Sequence, residues 1–215
     1  MRSASPKSAE HLSTASEGAL GELHAEMQAC RRCLEAGFSV SAGAVFSGPA
    51  SASLMVVGQA PGSTECETGR PFSGPSGQRL FDWLAQAAWD EACFRATQYM
   101  SAITKCYPGR SSSGKGDRAP TGAEQKLCAP FLEEELTLVR PEIIIPVGSL
   151  AVRRFLGEVR LTDVVGIVAE DDAGRLIVPL PHPSGVNLWL NRSENQKRVA
   201  QALNRLRCLG ERLRL

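Results

Sequence analysis

Four short apolar runs, Ser53–Val57, Tyr99–Thr104, Glu142–Val147 and Leu176–Leu180, are each separated from the next by a stretch long enough to hold a helix. Hairpins need only a few linking residues, whereas parallel strands need crossovers of a dozen or more. The spacing therefore predicts an α/β fold: a three-layer sandwich with a central, mostly parallel four-stranded sheet flanked by helices. Helix signals fill the gaps. Leu80, Phe81, Leu84 and Ala88 share one face of a helix over Gly77–Ala88, and Thr121 with Glu124 has the spacing of a capping box. That helix runs past Cys128 and Leu132 and stops before Pro141, another runs from Gly148 through Leu156, and a last one starts near Ser193. A first helix from about Glu22 leads to Cys30. Residues 1–20, rich in Ser and Ala with no apolar centre, read as a flexible N-terminal tail, and residues 21–215 as the folded domain.

No apolar stretch approaches the roughly 18 residues of a membrane span, so no membrane association is expected. The formal charge of +1 excludes a wholly basic nucleic-acid coat protein and a polybasic membrane binder, which leaves nucleic-acid contact to local patches. Two patches exist. Lys105, Arg110, Lys115 and Arg118 face only Asp117 in a glycine-bearing loop, and Arg192–Arg214 holds seven basic residues against Glu194 and Glu211.

The seven cysteines are an odd number in a chain without an export signal, which points to the reducing cytoplasm and away from a disulfide framework. Cys30 and Cys33, two residues apart in a C-x-x-C pair, join Cys106 and Cys128 as a four-thiolate set drawn from three segments. Such a set suits an iron–sulfur cluster, a structural zinc or, more plainly, a buried core. Cys66, Cys93 and Cys208 have no paired neighbour and read as core residues.

In open parallel sheets ligands bind outside the carboxyl ends of the strands. Gly58-Gln59-Ala60-Pro61-Gly62, Thr104-Lys105-Cys106, Gly148-Ser149 and His182-Pro183-Ser184 all follow strand ends, so the residues with chemistry to offer converge on one edge. Phe72, set among small residues, suits either the core or a platform for a planar base. His182, framed by two prolines, suits either a structural role or a positioned donor.

Taken in order, GQAPG, TGRPFSGPSGQRL, TKCYPG with a later cysteine, and HPSG, preceded by Cys-x-x-Cys, resemble the iron–sulfur-containing branch of the uracil-DNA glycosylase superfamily. The thermophile-type enzymes commonly called family four, and their relatives, are the nearest groups. The resemblance spans the chain from about Cys30 to the last helix. It implies a [4Fe–4S] cluster on Cys30, Cys33, Cys106 and Cys128 rather than zinc. It also implies excision of a flipped base from DNA during base excision repair, by a protein expected to act as a monomer.

By the same resemblance His182 stabilises the departing base and Gln59 holds the attacking water. Gly58, Ala60, Pro61, Gly62, Phe72, Ala102 and Ser184 surround the base, with Phe72 stacked on it. Gly185, Asn187 and Leu188 belong to the loop that enters the DNA stack. Lys105, Arg110, Lys115 and Arg192 are expected to hold phosphates.

Two positions depart from the family-four pattern: Gln59 stands where that group has Glu, and Ala102 where it has a base-reading Asn. The 21 residues between Cys106 and Cys128 also form a longer interval than usual. Gln59 orients water but accepts no proton at neutral pH, so weak or absent uracil removal is expected. A non-catalytic DNA-lesion binder on the same fold is the rival reading; an iron–sulfur electron carrier is another, but it would need neither Phe72 nor the His-Pro-Ser segment.

Overall fold

The structure, a computed structural model, describes residues 6–112, 116–185 and 187–213. It opens with α1 (Pro6–Ala29) and α2 (Arg32–Glu35), followed by β1 (Leu54–Gly58), α3 (Ser63–Thr68), α4 (Pro75–Gln86), α5 (Glu91–Thr97) and β2 (Tyr99–Ala102). Next come α6 (Gly122–Val139), β3 (Ile143–Pro146), α7 (Ser149–Leu156), α8 (Leu161–Val164), β4 (Ala169–Glu170) and β5 (Leu176–Ile177). A 3₁₀ turn over Leu188–Asn191 leads into α9 (Ser193–Leu213).

The strands form one sheet in the order β2-β1-β3-β5-β4, parallel except for β4 against β5. The expected α/β sandwich is therefore present with one strand more than the sequence signalled: β4 is a two-residue antiparallel edge, too short for an apolar run to reveal it. Every residue of β1 is buried, because helices cover both faces of the sheet. Alternation sorts the side chains between the two cores. Met55, Val57 and Ile144 meet α1 and α6 through Leu23, Met27, Phe131 and Leu132. Leu54, Val56, Ile143 and Ile145 share the opposite core with Leu80, Leu84, Val199, Leu203 and Leu206 of α4 and α9.

Residues 1–20, read as a tail, are helical from Pro6 onward. Leu20 is buried with Leu23 and Met27 on the α6 side, and Glu17 accepts a hydrogen bond from the Ala50 N–H at 2.9 Å. A Ser/Ala/Glu-rich stretch carries little apolar periodicity, although Ala and Glu favour helix, and this concealed the element. The capping box of α6 forms as expected: Thr121 Oγ1 accepts from Glu124 N at 3.2 Å, and Glu124 Oε2 from Thr121 N at 2.6 Å. No described helix is long and apolar enough to cross a membrane.

Candidate active site

Backbone hydrogen bonds fix the loop after β1 against the end of β2, Ile103 N donating to Gly58 O at 3.0 Å and Thr104 N to Gln59 O at 3.3 Å. A cleft of about 490 Å³ opens beyond these strand ends. Gly58, Gln59, Ala60, Pro61, Gly62, Phe72, Ala102, His182 and Ser184 all line it, so the site residues drawn from four separate sequence segments meet in one place.

Phe72 is held in an uncommon conformation. Its φ of 51° lies in the left-handed region that a bulky side chain rarely adopts. Arg95 holds it there, donating to Pro71 O at 2.8 Å and to Phe72 O at 2.7 Å, with its guanidinium 4.2 Å above the Phe81 ring and bonded to Glu91. Two glycines make the room: a Cβ on Gly77 would stand 2.0 Å from Phe72 O, and one on Gly58 would stand 3.1 Å from the Phe72 ring. Glu65 joins this loop to the GQAPG segment, accepting from Gly62 N at 3.1 Å through one oxygen and from Ser73 N and Gly74 N at 3.0 and 2.8 Å through the other. Sequence reasoning missed Arg95, Glu65 and Gly77; Glu65, three residues after Gly62 at a helix start, was the only one with a local signal.

His182 sits beyond the sheet edge, where Leu180 bridges Val147, and packs against Gly148. Its Nδ1 accepts the Ser184 N–H at 3.2 Å, so the neutral ring carries its proton on Nε2. Burial pushes its pKa below the ordinary histidine value, partly opposed by the charge of Glu65. Asn187 ties the following loop back by donating to His182 O at 2.7 Å, and its own Oδ1 accepts from Trp189 N. Leu188 is 77% exposed at the tip of this loop, beside the exposed Gly185 and Arg192.

Cys30, Cys33, Cys106 and Cys128 line a second, smaller cavity on the other side of the Ala102–Cys106 segment. Burial, with the neighbouring thiols, raises the pKa of Cys33, Cys128 and Cys106, the last to about 11. Lys105 N donates to Cys128 Sγ at 3.3 Å. Thr104 Oγ1, buried in the same wall, has no hydrogen-bond partner among the described residues. Among those residues no three His, Cys, Asp or Glu side chains close on a point that would hold a single metal ion.

Lys105 is not a phosphate contact. It is 1% exposed, and its Nζ donates to Glu135 Oε2 at 2.7 Å, Ser101 Oγ at 2.8 Å and Ala102 O at 2.6 Å. Glu135 also accepts from Ser101 and from Tyr99, whose phenol in turn meets His24 at 2.8 Å. Arg118 is engaged as well, forked onto Glu124 at 2.8 and 2.6 Å, which draws the Glu124 pKa down to about 2. Arg110 is exposed, and Lys115 lies outside the described residues.

The Uracil DNA glycosylase superfamily profile matches residues 45–207. A type-4 uracil-DNA glycosylase of Thermotoga maritima is 31% identical over 148 residues, which cover 68% of this chain and 71% of that protein. The type-4 enzyme of Pyrobaculum aerophilum is 30% identical over 103 residues, 48% of this chain and 47% of the other, so the match spans about half of that relative. A type-5 uracil-DNA glycosylase of the same organism is 30% identical over 155 residues, 66% of this chain and 65% of that protein.

Proposed function

Because the chain belongs to the uracil-DNA glycosylase superfamily, we propose that it is a DNA N-glycosylase that removes uracil or another deaminated base by hydrolysis, as a step of base excision repair. The observation that carries this reading is the convergence of Gln59, Phe72 and His182, whose neutral ring carries its proton on Nε2, on one cleft. A base inside a duplex is out of reach, so the target nucleotide must leave the stack, with Leu188 filling the gap and Phe72 receiving the base. As the bond from C1′ to the base breaks, negative charge grows on the base and positive charge on the sugar. The Nε2–H of His182 meets the first, and the Gln59 amide orients the water that attacks the second. A panel of single-stranded and duplex oligonucleotides, each with one deaminated base, tests the proposal; tight binding with no excision from any of them would favour the lesion-binding reading instead.

The four thiols fit an iron–sulfur cluster. The wall of their cavity offers hydrogen bonds to sulfur, one already made by Lys105 N and one unfilled at Thr104 Oγ1. Cys30, Cys33, Cys106 and Cys128 would bind a [4Fe–4S] cluster as thiolates, with release of the protons that burial favours on Cys33, Cys106 and Cys128. Bound by these four cysteines, such a cluster would serve a structural role, because they would join the α1–α2 connection to the loop after β2 and to α6. Anaerobically purified protein should be brown and hold about four iron atoms per chain, with Cys66→Ser unchanged. A colourless, zinc-bearing preparation would show that zinc fills the site.

DNA is held by Arg110, Arg192 and the exposed basic face of α9. Affinity should fall linearly in log salt, and replacing Arg110 and Arg192 by Ala should flatten the slope on single-stranded DNA by roughly 0.7 for each phosphate no longer neutralised. An unchanged slope would move the phosphate path elsewhere. The protein acts in the cytoplasm, where reducing conditions keep its thiols available.

A further inference from the structure

In the step proposed above, Gln59 would orient the attacking water without accepting its proton, and the cleft wall offers carboxylates from two other places. Glu65 has both oxygens engaged by the backbone N–H groups of Gly62, Ser73 and Gly74, so it braces the loops. Asp117 is different. It comes from the long Cys106–Cys128 interval and lines the cleft together with Gly116 and Arg118. Its Oδ1 accepts the Tyr107 hydroxyl at 2.7 Å, while Oδ2 lies 3.2 Å from where a Cβ on Gly62 would stand, against the GQAPG turn that carries Gln59. Tyr107 is itself buried, and its carbonyl accepts the Ser41 N–H at 2.9 Å, so the aspartate is braced from a fixed point. Arg118, the next residue in the chain, is forked onto Glu124.

We propose that Asp117 is a catalytic residue of this cleft: its carboxylate takes the proton of the water that Gln59 orients and faces the positive charge on the sugar. This rests on the glycosylase reading given above. In the step, the water oxygen forms a bond to C1′ while the bond from C1′ to the base breaks. The electron pair of that bond leaves with the base, where His182 Nε2–H stabilises it, and the water proton passes to Asp117. The products are the free base and an abasic sugar. The acceptor that the first strand-end motif lacks is supplied beside that motif by the longer loop, and uracil excision by the native chain follows without Glu at position 59.

The test is single-turnover excision from uracil-containing single-stranded DNA, alongside binding to the same strand carrying a non-cleavable 2′-fluoro uracil nucleotide. Asp117→Asn should slow excision by about 10²–10⁴-fold, the range for loss of a positioned proton acceptor. Binding and the circular dichroism spectrum should stay as in the native protein. Asp117→Glu, which keeps the carboxylate, should retain much of the rate, and Gln59→Glu should restore excision to the Asp117→Asn variant. Native excision that Asp117→Asn leaves unchanged overturns the role of Asp117 and leaves the glycosylase reading standing. A loss of affinity that accounts for the whole loss of rate also overturns it, since Asp117 would then be a binding residue. A native chain that excises no base removes both proposals.

Discussion

His182→Ala is expected to slow single-turnover excision about 10²–10³-fold, the cost of removing one preorganised donor aimed at a developing negative charge. The donor is neutral imidazole, because the Ser184 N–H occupies Nδ1 and burial disfavours the charged ring. A neutral ring also avoids stranding a cation beside an empty cleft before the base arrives. His182→Gln, which keeps an N–H near the same point, should recover part of the loss. Nitrogen NMR should find the Nε2–H tautomer at pH 7 and a titration below the ordinary value of 6.5. The direction of the shift also sets a stability trend. Between the depressed pKa and 6.5 the unfolded chain binds the proton that the folded chain refuses, so this histidine contributes stability that falls as the pH drops through that window. A His182→Ala variant that excises at the native rate would remove His182 from the reaction.

Lys105→Ala should destabilise the fold by about 3–5 kcal/mol, the usual cost of stripping one partner from a buried ion pair. At about 2–4 °C per kcal/mol for a chain of this size, Tm should fall by roughly 6–20 °C. Glu135 would keep its hydrogen bonds from Ser101 and Tyr99 but lose its counter-charge in a site with no access to water. The salt dependence of DNA binding, measured below the new Tm, should not change. A phosphate-binding lysine would give the opposite result, a shallower salt slope with little change in stability, so one variant separates the two roles. Pairing Lys105→Met with Glu135→Leu, which removes both charges together, should restore part of the stability that the single change loses.

Lys105 also illustrates where sequence stops being informative. Its basic neighbours in the chain made it one more positive charge in a loop, while the partner that buries it lies thirty residues on, within a helix whose apolar pattern gives no sign of a charged core position. The parallel strands and the helix caps were legible because period and spacing are local properties of the chain. Convergence of the GQAPG and His182 segments followed from the rule that strand ends gather on one edge, and the cleft gathers them together with Phe72, which only the resemblance had put there. Arg95 and Asp117 were not legible. Each is placed by a distant contact, Arg95 with the backbone carbonyls of Pro71 and Phe72 and Asp117 against the turn at Gly62. The two-residue β4 and the start of α1 escaped for a simpler reason, since neither has an apolar pattern of its own.

The left-handed backbone of Phe72 bears on how this protein tolerates change over generations. Phe72, proposed above as the stacking platform, stands in its uncommon geometry before any DNA arrives, so ordering it would add no cost at the moment of capture. The constraint is instead distributed over Gly77, where no side chain fits, Gly58 beneath the ring, and Arg95 beneath the two carbonyls. In a library of single variants these three positions should accept as few alternatives as Phe72 itself, and relatives that replace the aromatic should be released at all three together. A drift at Arg95 that looked neutral by its distance from the cleft would therefore act as a change of platform, and lineages would be expected to exchange the four residues as a set.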